Sequence, residues 1–211
     1  MGKGRTKTTL LLAAIALCAV ALSCVRDKDA GGKIHDDLPL HQLRDGDLLF
    51  RCGISFESQT VKSIDKNKGV VYTHVGIAIK QGDTWKVVHA VPGESDDGVD
   101  RVKVEPVDTF FLTTRAVHGA AMRIKGCDAK AAKQAAQWAV MKKGEVFDDR
   151  YNWNDSSRLY CTELVQRAYE TVGVDLHAGR MTHVSFPFYN GDVVLPSDIQ
   201  CNDSLKLIFS F

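Results

Sequence analysis

From Cys161 onward, apolar residues recur at Leu164, Val165, Ala168, Tyr169 and Val172, the spacing of one buried helical face. Glu163, Gln166, Arg167 and Glu170 fall on the opposite side, which the pattern assigns to water. Asn154-Asp155-Ser156-Ser157 upstream is rich in capping residues, and Gly173 suits the terminus. The pattern therefore places Cys161 in the first helical turn, pointing inward. Val70 to Ile79 has a different period. Alternation puts Val71, Thr73, Val75, Ile77 and Ile79 on one face of a strand and Tyr72, His74, Gly76 and Ala78 on the other. Gln81-Gly82-Asp83-Thr84 turns the chain, and Trp85 to Val91 returns as a second strand.

With Lys80 opposite Trp85, His74 and His89 become diagonal neighbours on one face, about 7–8 Å apart at the backbone and within side-chain reach. A bulge in the turn would break this geometry. Gly76 and Ala78 are small, which suggests that a helix approaches closely beside His74. Elsewhere the pattern predicts strands over 47–51, 101–105, 116–124 and 205–209. It predicts a short helix from Ser55 to Ile64 with Phe56, Thr60, Val61 and Ile64 inward, and a turn through 110–112 capped by Asp108. A longer helix starts at Asp128, runs to about Lys143 with Ala132, Ala135, Ala136 and Ala139 as its inner stripe, and is closed by Gly144.

The N-terminus changes the picture of where such a domain works. Lys3, Arg5 and Lys7 precede an apolar run from Leu10 to Leu22, too short for a comfortable membrane span, and Ala21-Leu22-Ser23-Cys24 follows. These residues resemble a bacterial lipobox, which implies lipidation at Cys24 and an exported protein held on a membrane, facing the periplasm or the cell exterior. Residues 1–23 then form a lipoprotein signal peptide, 24–33 a flexible tether and 34–211 one domain. Losing residues 1–23 leaves 24 of the 27 basic residues against 26 acidic ones, a net charge of −2. No basic patch argues for nucleic acid. Cys52, Cys127, Cys161 and Cys201 have no metal-like spacing, and the sequence does not choose a disulfide pair. No cofactor is implied, and a monomer is expected.

A thiol at a helix start feels the positive end of the helix dipole, which favours the reactive thiolate, though a cysteine there also suits a small inert core position. With Cys161 as nucleophile, His74 can take its proton and His89 can orient His74. The first-turn backbone N–H of Cys161 can serve an oxyanion. Gly46-Asp47-Leu48-Leu49-Phe50, Thr73-His74-Val75-Gly76-Ile77, Val87-Val88-His89-Ala90 and Tyr160-Cys161-Thr162-Glu163-Leu164-Val165 together resemble the permuted papain-like amidases of the YiiX/YaeF group, within the NlpC/P60 superfamily. The histidine-before-cysteine order is that of the permuted branch.

That resemblance implies an α+β fold with a small antiparallel sheet packed on helices, Cys161 as nucleophile and His74 as base. His89 maps to a third position that is often glutamate in the permuted group and histidine in many ordinary members. Tyr160 and Tyr151 are candidates to line the cleft, and equally candidates for packing. The expected reaction is hydrolysis of an amide bond in a cell-wall peptide or an N-acyl amine. Polar borders at 93–98 and 148–150 suit a wet groove in which water completes the reaction. Two alternatives stay open: a lipid acyltransferase or phospholipase resembling the lecithin:retinol acyltransferase family, with the same His-His-Cys set, and a non-catalytic envelope lipoprotein.

Overall fold

The computed structural model describes residues 31–211 except 36, 68, 96, 156, 187 and 188. The signal peptide and Cys24 lie outside the described residues. Six antiparallel strands form one sheet in the order β4-β3-β2-β1-β5-β8. Their ranges are Leu48–Cys52 (β1), His74–Gln81 (β2), Thr84–Val91 (β3), Arg101–Pro106 (β4), His118–Ile124 (β5) and Leu205–Ser210 (β8). A separate hairpin pairs Thr182–Phe186 (β6) with Tyr189–Val193 (β7), which the sequence pattern did not predict. The helices are Phe56–Ile64 (α1), Val107–Phe110 (α2), Ala129–Met141 (α3), Cys161–Glu170 (α4) and Pro196–Gln200 (α5). Among the described residues no helix is long and apolar enough to cross a membrane.

The hairpin register is the expected one. Lys80 faces Trp85 and Ile77 faces Val88, with no bulge between them. The two faces of the sheet carry different layers. Phe50, Val75, Ile77, Ile79 and Val88 pack against Ala135, Ala136 and Ala139 of α3 and Leu164, Val165 and Ala168 of α4. The other face carries Leu49, Ala78, Val87 and Ala121 under Phe110 and Phe111. So the two long helices α3 and α4 lie off the His74 face, and the helix beside His74 is the short α2, through Phe110. The long pair covers the Val75 face, because that face presents branched apolar residues from five strands.

Small residues do matter, at two other contacts. A Cβ on Gly76 would meet Val87 Cγ2 at 2.5 Å and His89 Cβ at 3.0 Å, so its glycine lets β3 lie close. Gly46 (φ +92°) turns the chain where Ala132 of α3 sits, its Cβ 2.7 Å from where a Gly46 side chain would begin.

Local signals held unevenly. Ser55 caps α1 by accepting from Ser58 N, but Phe56 is 83% exposed rather than inward. Asp128 caps α3 through Lys130 N and Ala131 N. Asp108 caps nothing; Pro106 stands at the start of α2. Lys33 exchanges hydrogen bonds with Thr113, so residue 33, assigned to the tether, is bound to the fold. The four cysteines among the described residues are free thiols.

Candidate active site

Tyr160 is the N-cap of α4 and offers no side-chain cap, so the Asn154–Ser157 run does not cap this helix. Cys161 is its first residue, partly exposed at the end of the sheet. The β2–β3 ladder begins at Ile77 and Val88, and His74, Val75 and Gly76 precede it while Gly76 stays in close approach to His89. The Cys161 sulfur meets the backbone N–H of Val75, the residue after His74, and those of Thr162 and Cys161 itself. The thiol arrives from the helix-covered side, while His74 belongs to the opposite face. The sulfur thus lies against the backbone next to His74.

His74 is buried, and its Nε2 lies 2.8 Å from Nδ1 of His89, which has no exposed surface. The diagonal pairing expected of these two residues is therefore present. His89 continues inward: its Nε2 lies 3.0 Å from Glu105 Oε1, a contact bent away from ideal hydrogen-bond geometry. Glu105 was not singled out by the sequence. His89 stands directly opposite Lys103 on β4, which places Glu105 on the same face two residues along. A nine-residue connection joins β3 to β4, so their register could not be counted from a tight turn.

Around Glu105 the charges are closely matched. Arg115 Nη1 donates to both Glu105 oxygens at 3.1 Å and to Glu94 Oε2 at 3.0 Å. Lys103 Nζ lies 3.6 Å from Glu105 Oε2 and donates to the Glu94 carbonyl at 2.8 Å. Arg51, opposite His74 on β1, pairs with Glu94 and donates to the Phe110 carbonyl at 2.9 Å. The Phe110 ring closes the layer, 5.6 Å from His74, 5.2 Å from His89 and 4.5 Å from the Arg51 guanidinium.

Burial sets the protonation of the pair. The Cys161 thiol is pushed up to about 11 by desolvation, which outweighs the lowering by the Val75, Thr162 and Cys161 N–H groups and by Arg51. His74 is held well below the ordinary imidazole value by desolvation first, then by Arg51, His89 and Lys103. The resting site is thus a neutral thiol beside a neutral imidazole, not the preformed thiolate expected from the helix dipole. Burial favours the protonated form of Glu105. His89, Arg115 and Lys103 outweigh that and hold its carboxyl well below the usual range.

Two residues assigned to the wet face of α4 are buried. Glu163 has no exposed surface, and Gln166 is 1% exposed. Gln166 is fully used: its carbonyl accepts from Leu176 N and His177 N, and its amide donates to Asp175 and Glu170. Glu163 Oε1 is 3.4 Å from Arg167, Oε2 is unpartnered, and burial pushes this carboxyl up to about 8. The segment through Trp153, whose carbonyl accepts from Arg167 Nη2, covers this side. No periodicity on α4 itself could reveal a cover supplied by Trp153 and by 175–177.

Tyr160 is a core residue at 2% exposure, packed on Tyr151 and Trp153, so it does not line the cleft. Tyr151 is half-buried with a left-handed backbone (φ 52°), held by Asp148, which accepts from Arg150 N and Asn152 N. Burial raises its phenol, and the charges of Cys161 and Glu57 add to that. Glu94 and Asp148, expected on polar borders, are turned inward instead. Asp149 stays exposed. Among the described residues, no group of three or more His, Cys, Asp or Glu is arranged to hold a metal ion.

A crystal structure described as the metalloprotein YiiX from Escherichia coli O157:H7 shares this fold. Its TM-score is 0.65 at 19% identity, covering 81% of this chain and 98% of that one. No curated protein matches the chain. The model of one family, described as permuted papain-like amidase enzyme, YaeF/YiiX, C92 family, matches residues 42–209. With four sequence motifs, the antiparallel sheet and that match in agreement, the chain belongs to the permuted papain-like amidases.

Proposed function

We propose that Cys161 attacks an amide carbonyl, with His74 as base and His89 as the group that orients it. The observation that carries this reading is the buried His74–His89 contact, with the Cys161 sulfur at the backbone N–H of Val75, the residue after His74. Because both partners rest neutral, proton transfer accompanies attack. The Sγ–carbon bond forms as the thiol proton passes to His74, and backbone N–H groups at the start of α4 receive the negative oxygen. Collapse breaks the carbon–nitrogen bond, and His74 returns the proton to the leaving amine. Water, deprotonated by the same imidazole, then cleaves the thioester to free acid and thiol.

The substrate class is a peptide or an N-acyl amine, by analogy with the family, and the final acceptor is water rather than a second lipid. Supplying N-acyl amine or peptide donors together with excess acceptor amine or lysophospholipid, and quantifying both products, tests this. Free acid should dominate; a dominant acylated acceptor would transfer the protein to the acyltransferase class. We also propose that Cys24 is lipidated and holds the exported domain on a membrane. Several acyl chains give stable attachment where one gives marginal binding. Cys24→Ala should leave the membrane fraction or remain unprocessed, and unchanged fractionation and mass would refute the anchor.

A further inference from the structure

We propose that Glu105 is a positioning residue that sets the tautomers of both histidines and so keeps His74 Nδ1 free to receive the Cys161 proton. This deepens the proposed function and rests on it. A carboxylate can accept hydrogen bonds but cannot donate them. Held ionised between Arg115 and Lys103, Glu105 requires a proton on the facing His89 Nε2. A neutral His89 then has a bare Nδ1, which must accept from His74 Nε2 across 2.8 Å. His74, with its proton on Nε2, is left with Nδ1 as its lone-pair nitrogen. Each imidazole transmits the choice by one step, and the choice originates two residues away from the thiol.

The groups facing the His89–Glu105 pair are Lys103 from β4, Arg115 from the segment before β5, His74 from β2, Arg51 from β1, and Glu94 bridging Arg51 and Arg115. Three cations stand against two carboxylates around the pair, so Glu105 remains the acceptor they are held by. Phe110 excludes water from both rings, so solvent cannot substitute for Glu105 as acceptor.

Glutamine separates tautomer control from mere packing. In Glu105→Gln the amide oxygen is claimed by Arg115 and Lys103, which need an acceptor, and the amide nitrogen turns to His89. Its N–H demands a bare Nε2, which flips His89 and then His74, and places a proton on the nitrogen His74 must keep free. In Ser-His-Asp enzymes an Asp-to-Asn change of this kind costs about 10⁴-fold. Glu105→Asp keeps an acceptor and should keep the tautomers.

The test is ¹⁵N NMR of the imidazole nitrogens in the full chain, with the rate of Cys161 acylation by p-nitrophenyl acetate measured alongside. Wild type should show Nε2–H on both histidines and a bare His74 Nδ1. Glu105→Gln should show the reversed pair and acylate on the order of 10²- to 10⁴-fold more slowly, and Glu105→Asp should stay near wild type. A folded Glu105→Gln with wild-type tautomers and rate overturns the proposal. Should that variant not fold, the wild-type spectrum decides: a protonated His74 Nδ1 overturns it. Absence of any Cys161 adduct in wild type would defeat the proposed chemistry, while the tautomers would still decide the role of Glu105.

Discussion

The two faces of this sheet solve opposite problems with the same strands. Under α3 and α4, Phe50, Val75, Ile77, Ile79 and Val88 meet alanine, valine and leucine side chains of the two helices. Across the backbone, Leu49, Ala78 and Val87 share a face with Arg51, His74, His89, Lys103 and Glu105. The apolar face gains its stability from area alone and tolerates small shifts. The charged set is held by directed contacts, where removing one member strands the rest without water. A histidine on the helix face would have had no partner to fix its tautomer. A cysteine on the charged face would have sat among cations, far from a helix start. Splitting them between faces gives each its own environment, and the proposed reaction has them meet at the start of α4.

The largest expected effect breaks that meeting point. Cys161→Ala and His74→Ala should each lower turnover by about 10⁴-fold or more, because nucleophile and base act as a unit. Amidase assays of the two single variants and the double variant check this. Near-additive losses in the double would show that the two act separately.

Variants at His89 sharpen the contrast next. Glutamine can accept from His74 through its oxygen and donate to Glu105 through its nitrogen, so His89→Gln should keep more activity than His89→Ala. His89→Glu sets a second carboxylate against Glu105 and should do worse than glutamine, by about 10-fold or more for one unpaired buried charge. Equal rates for the two, measured as kcat/KM on one substrate, would show that Glu105 does not face this position.

Stability against pH should reveal both layers, with opposite signs. His74 has a folded value below its unfolded 6.5, so the unfolded chain binds more protons as pH falls below 6.5, and stability is lost there. Glu163 is the reverse: its folded value of about 8 exceeds 4.5, so its contribution is present below 4.5 and is lost as pH rises from 4.5 towards 8. Glu163→Gln should therefore flatten the alkaline side, with a gain on the order of 1 kcal/mol over wild type at pH 8. Urea melts from pH 5 to 8.5 measure it, and a parallel shift at all pH values would contradict the assignment. The smallest effect is local. Asp128→Ala removes the cap of α3 and should cost about 1 kcal/mol, with turnover at saturating substrate unchanged.

What the sequence disclosed follows the same division. The register from Lys80–Trp85, the alanine stripe of α3 and the apolar stripe of α4 depend on local periods, and each stands as expected. The His74–His89 contact was countable because a two-residue turn joins their strands. Glu105 was not countable, since a long connection hides the β3–β4 register and an alternating charged strand looks solvated. Glu163 and Gln166 were misassigned for a related reason: the helix period says which residues share a side, and only the fold says whether something covers it. The thiol was misjudged because the helix dipole is a sequence-level inference, whereas desolvation is a property of the packed site.

The central claim is that Cys161 forms a covalent acyl-enzyme with His74 as its base. Intact-protein mass spectrometry after brief exposure to p-nitrophenyl acetate, followed by peptide mapping, tests it most directly. The account predicts one acetyl group, on Cys161, formed much more slowly in His74→Ala, absent in Cys161→Ala, and lost to water with time. Acetylation confined to Cys52, Cys127 or Cys201, or adduct formation at Cys161 undiminished in His74→Ala, would contradict it.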